Sequence, residues 1–425
     1  MSGIFQLDGG GRGRAQRLKE AILACFYDGS AHAEARLAHF ALRDWQRILY
    51  WLDISGLALY LLHRMRQLGL AHCMPEPVRD RLERNLAENR GRTRALFEEA
   101  EAISEVLMGR GIAFALLKGI TLTPESVPDS ALRWQIDLDF LVAARDATAA
   151  RHVLSTFGYG LRAVCGNTME FTAGQSSAPD MGKIYRVHSQ RSLELHMVST
   201  SPNRSGLRRD RLFRARPRPF GQAQIPSLAP ADILVQQALH LFKHLCGEHT
   251  RASWVLEFRR HIEARRGDAA FWREVERIAA EEALGEMALG AAMLLADLTF
   301  GATGGVPLRE QAIARLPRTV RLWIESYGRR ILLADSPGNK LYLLLRKELP
   351  DGDDQRASIR RLVFPTHLPP PITRGARGER PGQRLARYRT ELWHVLIRLW
   401  FHVIEGLKYA IEHSRWQRRV TEISQ

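Results

Sequence analysis

The sequence predicts an α+β protein, predominantly α, in which a small mixed β-sheet core is embedded between helical regions. Three observations carry this. From Arg17 to Arg110 the apolar residues recur at helical spacing, as in LKEAILACF and RDWQRILYWLDISGLALYLLHRM. From Gly111 the pattern changes to short apolar runs, some alternating with a period of two and punctuated by Gly and Pro, as strands require. After Ala229 helical spacing returns, in ADILVQQALHLFKHL, SWVLEFRRHIEARR and RTVRLWIESYGRRILLA.

The elements follow in order. Residues 1–16, MSGIFQLDGGGRGRAQ, lack the continuous apolar stretch of a signal peptide and read as a flexible arm. Residues 17–110 form an N-terminal helical region. Residues 111–228 form the α/β core: the strand IAFALLKG, the turn TLTPESV, the strand RWQIDLDFLV, the helix RDATAARHVLSTF stopped at Gly158, and the strand YGLRAV. KIYRVH and SLELHM then read as two strands joined by a turn at Ser189-Gln190. The Arg-rich, Pro-interrupted stretch 204–218 reads as a solvated connector. Residues 229–425 form a C-terminal helical region with a Pro/Gly-rich loop at 365–383. Its last helix, RLARYRTELWHVLIRLWFHVIEGLKYAI, is expected to pack its apolar stripe on the helical domain. The alternative for that helix is peripheral contact with a membrane surface. No apolar run has the length of a membrane span.

A formal net charge of +16 suits an anionic partner, or reflects the Arg-rich coding of a GC-rich genome. The cysteines, Cys25, Cys73, Cys165 and Cys246, show no short spacing, which excludes a disulfide framework and a zinc ribbon and fits a reducing cytoplasm.

The chemistry concentrates in the core. In RWQIDLDFLV, Asp137 and Asp139 share one face of a strand that is otherwise apolar. Like charges so placed repel unless a cation lies between them, so the stretch asks for a metal. Lys118-Gly119 ends the preceding strand, where a glycine lets the backbone approach a phosphate and the lysine supplies a cation. In SLELHM, Leu193 and Leu195 face the core while Glu194 and His196 face the other way. If the strands are neighbours, Asp137, Asp139 and Glu194 converge to hold Mg²⁺ or Mn²⁺ beside the phosphates of a nucleoside triphosphate. His240 and His244, at i and i+4 on one helix face, lack the glutamate of an H-E-x-x-H set and read as polar packing with an accessory role open, and Lys243 beside them is placed to reach a triphosphate.

The ordered set LLKG, R-x-x-x-D-L-D-F-L-V, a helix ending in FGY, and LELH resembles a bacterial family described as uncharacterised nucleotidyltransferases, within the polymerase-β-like superfamily. The resemblance extends over roughly Gly111 to Glu263. It implies a nucleotidyltransferase-like core that transfers an NMP from an NTP to a hydroxyl or phosphate acceptor with Mg²⁺ or Mn²⁺. Residue by residue, it implies that Lys118-Gly119 forms the phosphate turn, Asp137 and Asp139 the metal pair, Glu194 the third acid, and Arg133 the basic residue before the pair. Lys-Gly stands where the superfamily has Gly-Ser, and the gap from Gly119 to Asp137 (137 − 119 = 18 positions) is longer. The acceptor is unspecified, with a small molecule, saccharide or peptide favoured over nucleic acid. Two alternatives compete: a D-x-D glycosyltransferase using a nucleotide-sugar, and a catalytically degenerate nucleotidyltransferase fold serving as a binding or regulatory module.

Overall fold

The computed structural model describes residues 9–424 apart from 28, 175–183, 187–189, 199–210, 213–214, 221–222, 336–337, 350–358, 360, 364, 366–368 and 370–380. Four helices lead in: α1 (Gly9–Cys25), α2 (Ser30–Leu37), α3 (Leu42–Ile54) and α4 (Ala58–Gln67). Trp45, Ile48, Trp51 and Leu52 recur at the three- and four-residue spacing that gives α3 one buried face. Helix α1 takes up residues 9–16 of the stretch expected to be an arm, and 1–8 lie outside the described residues.

Helix α5 (Glu76–Gly109) is 34 residues long, about 50 Å at 1.5 Å per residue. That length lets it serve two cores. Its first half buries Val78, Leu82 and Leu86 among the helices, and its last turns bury Ala100, Ile103 and Leu107 against the sheet. Asn89 and Arg92 are buried at the crossing point.

The sheet contains β1 (Phe114–Leu116), β2 (Asp137–Ala143), β3 (Gly160–Cys165), β4 (Thr168–Ala173), β5 (Arg191–Val198), β6 (Arg216–Phe220) and β7 (Ala223–Ser227), with α6 (Ala147–Thr156) between β2 and β3. Its order is β3-β4-β5-β2-β1-β7-β6, and parallel and antiparallel pairs are mixed. Leu138, Phe140 and Val142 of β2 and Leu193 and Leu195 of β5 point to one face, where α5 and α6 cover them. Full burial of Phe140 contributes about 2–3 kcal/mol. The period of two therefore sends Asp137, Asp139, Glu194 and His196 to the other face.

Two expectations for the core are corrected. The antiparallel partner of β5 is β4, from TMEFTA, rather than KIYRVH; residues 184–186 of the latter form a turn and bend, and its other residues lie outside the described ones. The missed signal is Gly166-Asn167, a tight-turn pair in which Gly166 has φ +58°, joining β3 to β4. The 204–218 connector is not simply solvated. Arg211 is buried, with its guanidinium 3.3 Å from Asp232 and 2.5 Å from Glu282, and Arg216 opens the edge strand β6.

Helices α7 (Pro230–Leu245), α8 (Ala252–Ala264), α9 (Ala269–Glu281), α10 (Gly285–Phe300), α11 (Arg309–Ala314), α12 (Arg318–Trp323), α13 (Arg329–Leu332) and α14 (Tyr342–Arg346) pack with α1–α4 around one apolar core. Polar ties reinforce it: Trp51 Nε1 donates to the Leu332 carbonyl at 2.9 Å, and the buried Lys19 donates to that of Leu333 at 2.8 Å. The last helix, α15 (Pro381–Ser424), departs from expectation. It meets the body through Tyr409, Trp416, Glu405 and Glu412, while its apolar stripe from Leu385 to Ile411 is exposed. Most of the 365–383 loop lies outside the described residues. No helix among the described residues is long and apolar enough to cross a membrane.

Candidate active site

Strands β2 and β5 run parallel, with Asp139 beside Glu194 and Leu141 beside His196. This register sets the acids side by side. Asp139, Glu194 and His196 bring one ligand atom each within 4.8 Å of one another. His196 Nε2 lies 3.0 Å from Asp139 Oδ1 and 3.1 Å from Glu194 Oε2, and its Nδ1 is 3.1 Å from Thr168 Oγ1. Glu170 of β4 lies directly opposite Glu194 and adds a fourth carboxylate to the same face.

Lys118 reaches into this cluster. Its Nζ donates to Asp139 Oδ1 at 2.6 Å and to Glu194 Oε2 at 2.8 Å. It opens the 3₁₀ turn Lys118–Thr121 with φ +51°, a left-handed conformation that disfavours a side chain by about 1–2 kcal/mol. Burial opposes the ammonium charge, yet the two carboxylates hold its pKa well above the usual lysine value. His196 is raised as well, because hydrogen bonds to Asp139 and Glu194 outweigh its burial. Glu194 is held well below the carboxylate range, first by His196 and then by Lys118.

Asp137 is treated differently. Half-buried, it makes no hydrogen bond or ion pair among the described residues, and its pKa is pushed up to about 6 by burial and by repulsion from Asp139. Around it stand Arg133, Arg92 and Arg251, whose charges all couple to it. Arg133 is fixed on three sides. Its Nε donates to the buried Glu257 at 3.2 Å, its Nη1 donates to Gln135 at 2.9 Å, and Asn89 of α5 holds its carbonyl at 3.1 Å. Tyr60 of α4 donates to the other Glu257 oxygen at 2.8 Å, tying the N-terminal helices to the site. Arg133 and Gln135 pack so closely over Gly119 that a Cβ there would collide with both, so the glycine serves this approach.

Sequence reasoning missed Arg92, Glu257 and Arg251. Arg251 lies 4.3 Å from the ring centre of Trp134 and 5.2 Å from that of Trp254, and burial, with Arg133 close by, lowers its pKa to about 10. The sequence signal was RASWVLEF, in which Arg251, Trp254 and Glu257 recur at one-turn spacing. The structure brings His240 to the same neighbourhood. Burial, His244, Lys118 and Arg133 together depress its pKa well below the usual value, and it packs edge-on to Trp254 at 4.8 Å. His244, pushed down to about 4 mainly by burial, is neutral and donates from Nδ1 to the His249 carbonyl at 3.0 Å. The two rings thus act as packing for Trp254. Lys243 is exposed on α7 between them and contacts none of the acids.

The donor set fits a divalent cation: two carboxylates and an imidazole converge, and beside them the charge of a third carboxylate, Asp137, is disfavoured by burial and by repulsion from Asp139. The Lys118 ammonium lies on two of those donors, so a metal at this point must displace it.

A solved structure, that of an antigenic nucleotidyltransferase-like protein from Paracoccidioides brasiliensis, aligns with 50% of this chain and 96% of its own at 12% identity and a TM-score of 0.29. No curated protein matches. Residues 41–301, more than half of the chain and all of the site just described, match the family model described as "Uncharacterised nucleotidyltransferase", and the chain belongs to that family.

Proposed function

We propose that this protein transfers a nucleoside monophosphate from a nucleoside triphosphate to a hydroxyl or phosphate acceptor, with Mg²⁺ or Mn²⁺ as cofactor. The observation that carries this is one sheet face bearing Asp137, Asp139 and Glu194, with Lys118 on the latter two and Arg92, Arg133 and Arg251 coupled to Asp137. Acids alone would suit a metal and bases alone an anion. Their juxtaposition suits a metal-bound polyphosphate.

Asp139 and Glu194, with Asp137, would hold the metal, which supplies charge neutralisation of the triphosphate and lowers the pKa of the acceptor oxygen. Lys118, once displaced from the carboxylates, keeps a full positive charge for the phosphates. Arg251 and Arg133 hold the departing pyrophosphate, Arg251 stacked on its indoles and Arg133 braced by Glu257. Gly119 leaves room for Arg133 to do so. The test is transfer of label from α-labelled NTP to components of a metabolite extract. Metal-dependent transfer lost in Asp137→Asn/Asp139→Asn is expected, and transfer unaffected by that change would exclude these roles.

A second reading has its own support. Lys118 already neutralises Asp139 and Glu194, as it would in a fold kept for nucleotide binding alone. Nucleotide binding without added metal, with no label transfer, would favour it.

A further inference from the structure

Helix α15 is mounted with its apolar side outward. Arg398 pairs with Glu248 at 3.1 Å, Trp416 Nε1 donates to Glu348 at 3.1 Å, and Tyr327 and Arg330 reach Glu412 at 3.2 and 2.9 Å. These contacts define the face that meets the body. On the opposite side Leu392, Trp393, Leu396, Leu399, Trp400 and Val403 are 48–62% exposed. Wound at 3.6 residues per turn, the exposed apolar residues from Leu385 to Ile411 spread over about half the circumference and about 39 Å of length. An apolar patch this continuous marks a contact surface.

We propose that this face docks on an anionic lipid bilayer, with α15 lying in the plane of the membrane interface. Its breadth decides against a coiled-coil partner, which needs only a narrow a/d seam and prefers charges rather than Trp393 and Trp400 beside it. A flat, wide face with indoles and leucines is what an interfacial helix presents to a bilayer. Charge complementarity selects the lipid. The helix holds eight Lys or Arg against four Glu, hence 8 − 4 = +4, in a chain of net charge +16. By helical position, Arg384 stands on one margin of the apolar arc, Lys408 and Arg415 on the other, and Arg389 within it, all exposed. Their long stems can lie along the acyl boundary while the cations reach the headgroups. This inference is independent of the nucleotidyl-transfer reading.

The test is flotation of the full chain with vesicles of phosphatidylcholine containing phosphatidylglycerol, and with vesicles of phosphatidylcholine alone. The wild type is expected to float with the anionic vesicles and far less with the neutral ones. Leu396→Asp/Leu399→Asp, at exposed positions and so with an unchanged melting temperature, is expected to reduce partitioning about tenfold or more. Arg384→Gln/Arg389→Gln is expected to weaken the preference for anionic lipid. Absence of flotation with anionic vesicles, or equal flotation of the Leu396→Asp/Leu399→Asp variant, would overturn the proposal. So would a lipid-free dimer in sedimentation analysis that this variant dissociates, since a second copy would then cover the stripe.

Discussion

Lys118 and Asp137 hold the two halves of one electrostatic problem. Lys118 pairs directly with Asp139 and Glu194, whereas Asp137 feels Lys118 and Arg133 without pairing and stays disfavoured by burial and by repulsion from Asp139. Lys118→Met removes the cation and retains the strained backbone. Allowing for partial exposure, it should destabilise the metal-free protein by about 1.5–3 kcal/mol. Added Mn²⁺ should then raise the variant's melting temperature more than the wild type's, which thermal unfolding with and without metal would check. Asp137 makes the opposite prediction. Its folded pKa, about 6, lies above the unfolded value, so the folded state binds the extra proton between those values and stability falls as pH rises through that window. Asp137→Asn should therefore stabilise the metal-free protein at pH above 7 and show little effect near pH 4, measured as urea midpoints across that range. A destabilised variant at both pH values would mean that Asp137 is a structural partner rather than a stored charge.

At the level of elements, the site depends on a strand, β2, and a helix, α8, joined through Arg133 and Glu257. Glu257 is almost fully enclosed and Arg133 is only 15% exposed, so removing one charge leaves the other largely buried and unpaired. Glu257→Gln should cost about 3 kcal/mol in urea unfolding and weaken nucleotide binding through loss of the Arg133 brace. The acids of β2 and β5 were legible because a period of two and flanking leucines fix which face each residue takes. The pairing of β5 with β4 was not, because a weakly patterned hairpin competes with any nearby alternating run and only register settles it. Arg92, Arg251 and Glu257 were hidden for a different reason: they come from helices remote in sequence, and tertiary packing alone brings them to Asp137. The stripe on α15 was legible as amphipathic. Its outward orientation was not, because periodicity does not say which side meets the body.

On the scale of the whole molecule, the helices before and after the sheet share one core, and that core carries Tyr60, Glu257 and His240 to the acidic face of the sheet. The sequence suggested helical regions on either side of the site; the structure makes them a single support. The central claim is that this support presents a metal-dependent nucleotide site. The most direct measurement is calorimetric titration of each nucleoside triphosphate into the wild type and into Asp137→Asn/Asp139→Asn, with and without Mg²⁺ or Mn²⁺. The account predicts binding that requires the metal and is lost in the variant. Binding that ignores both the metal and the substitutions, or no binding by the folded wild type, would contradict it.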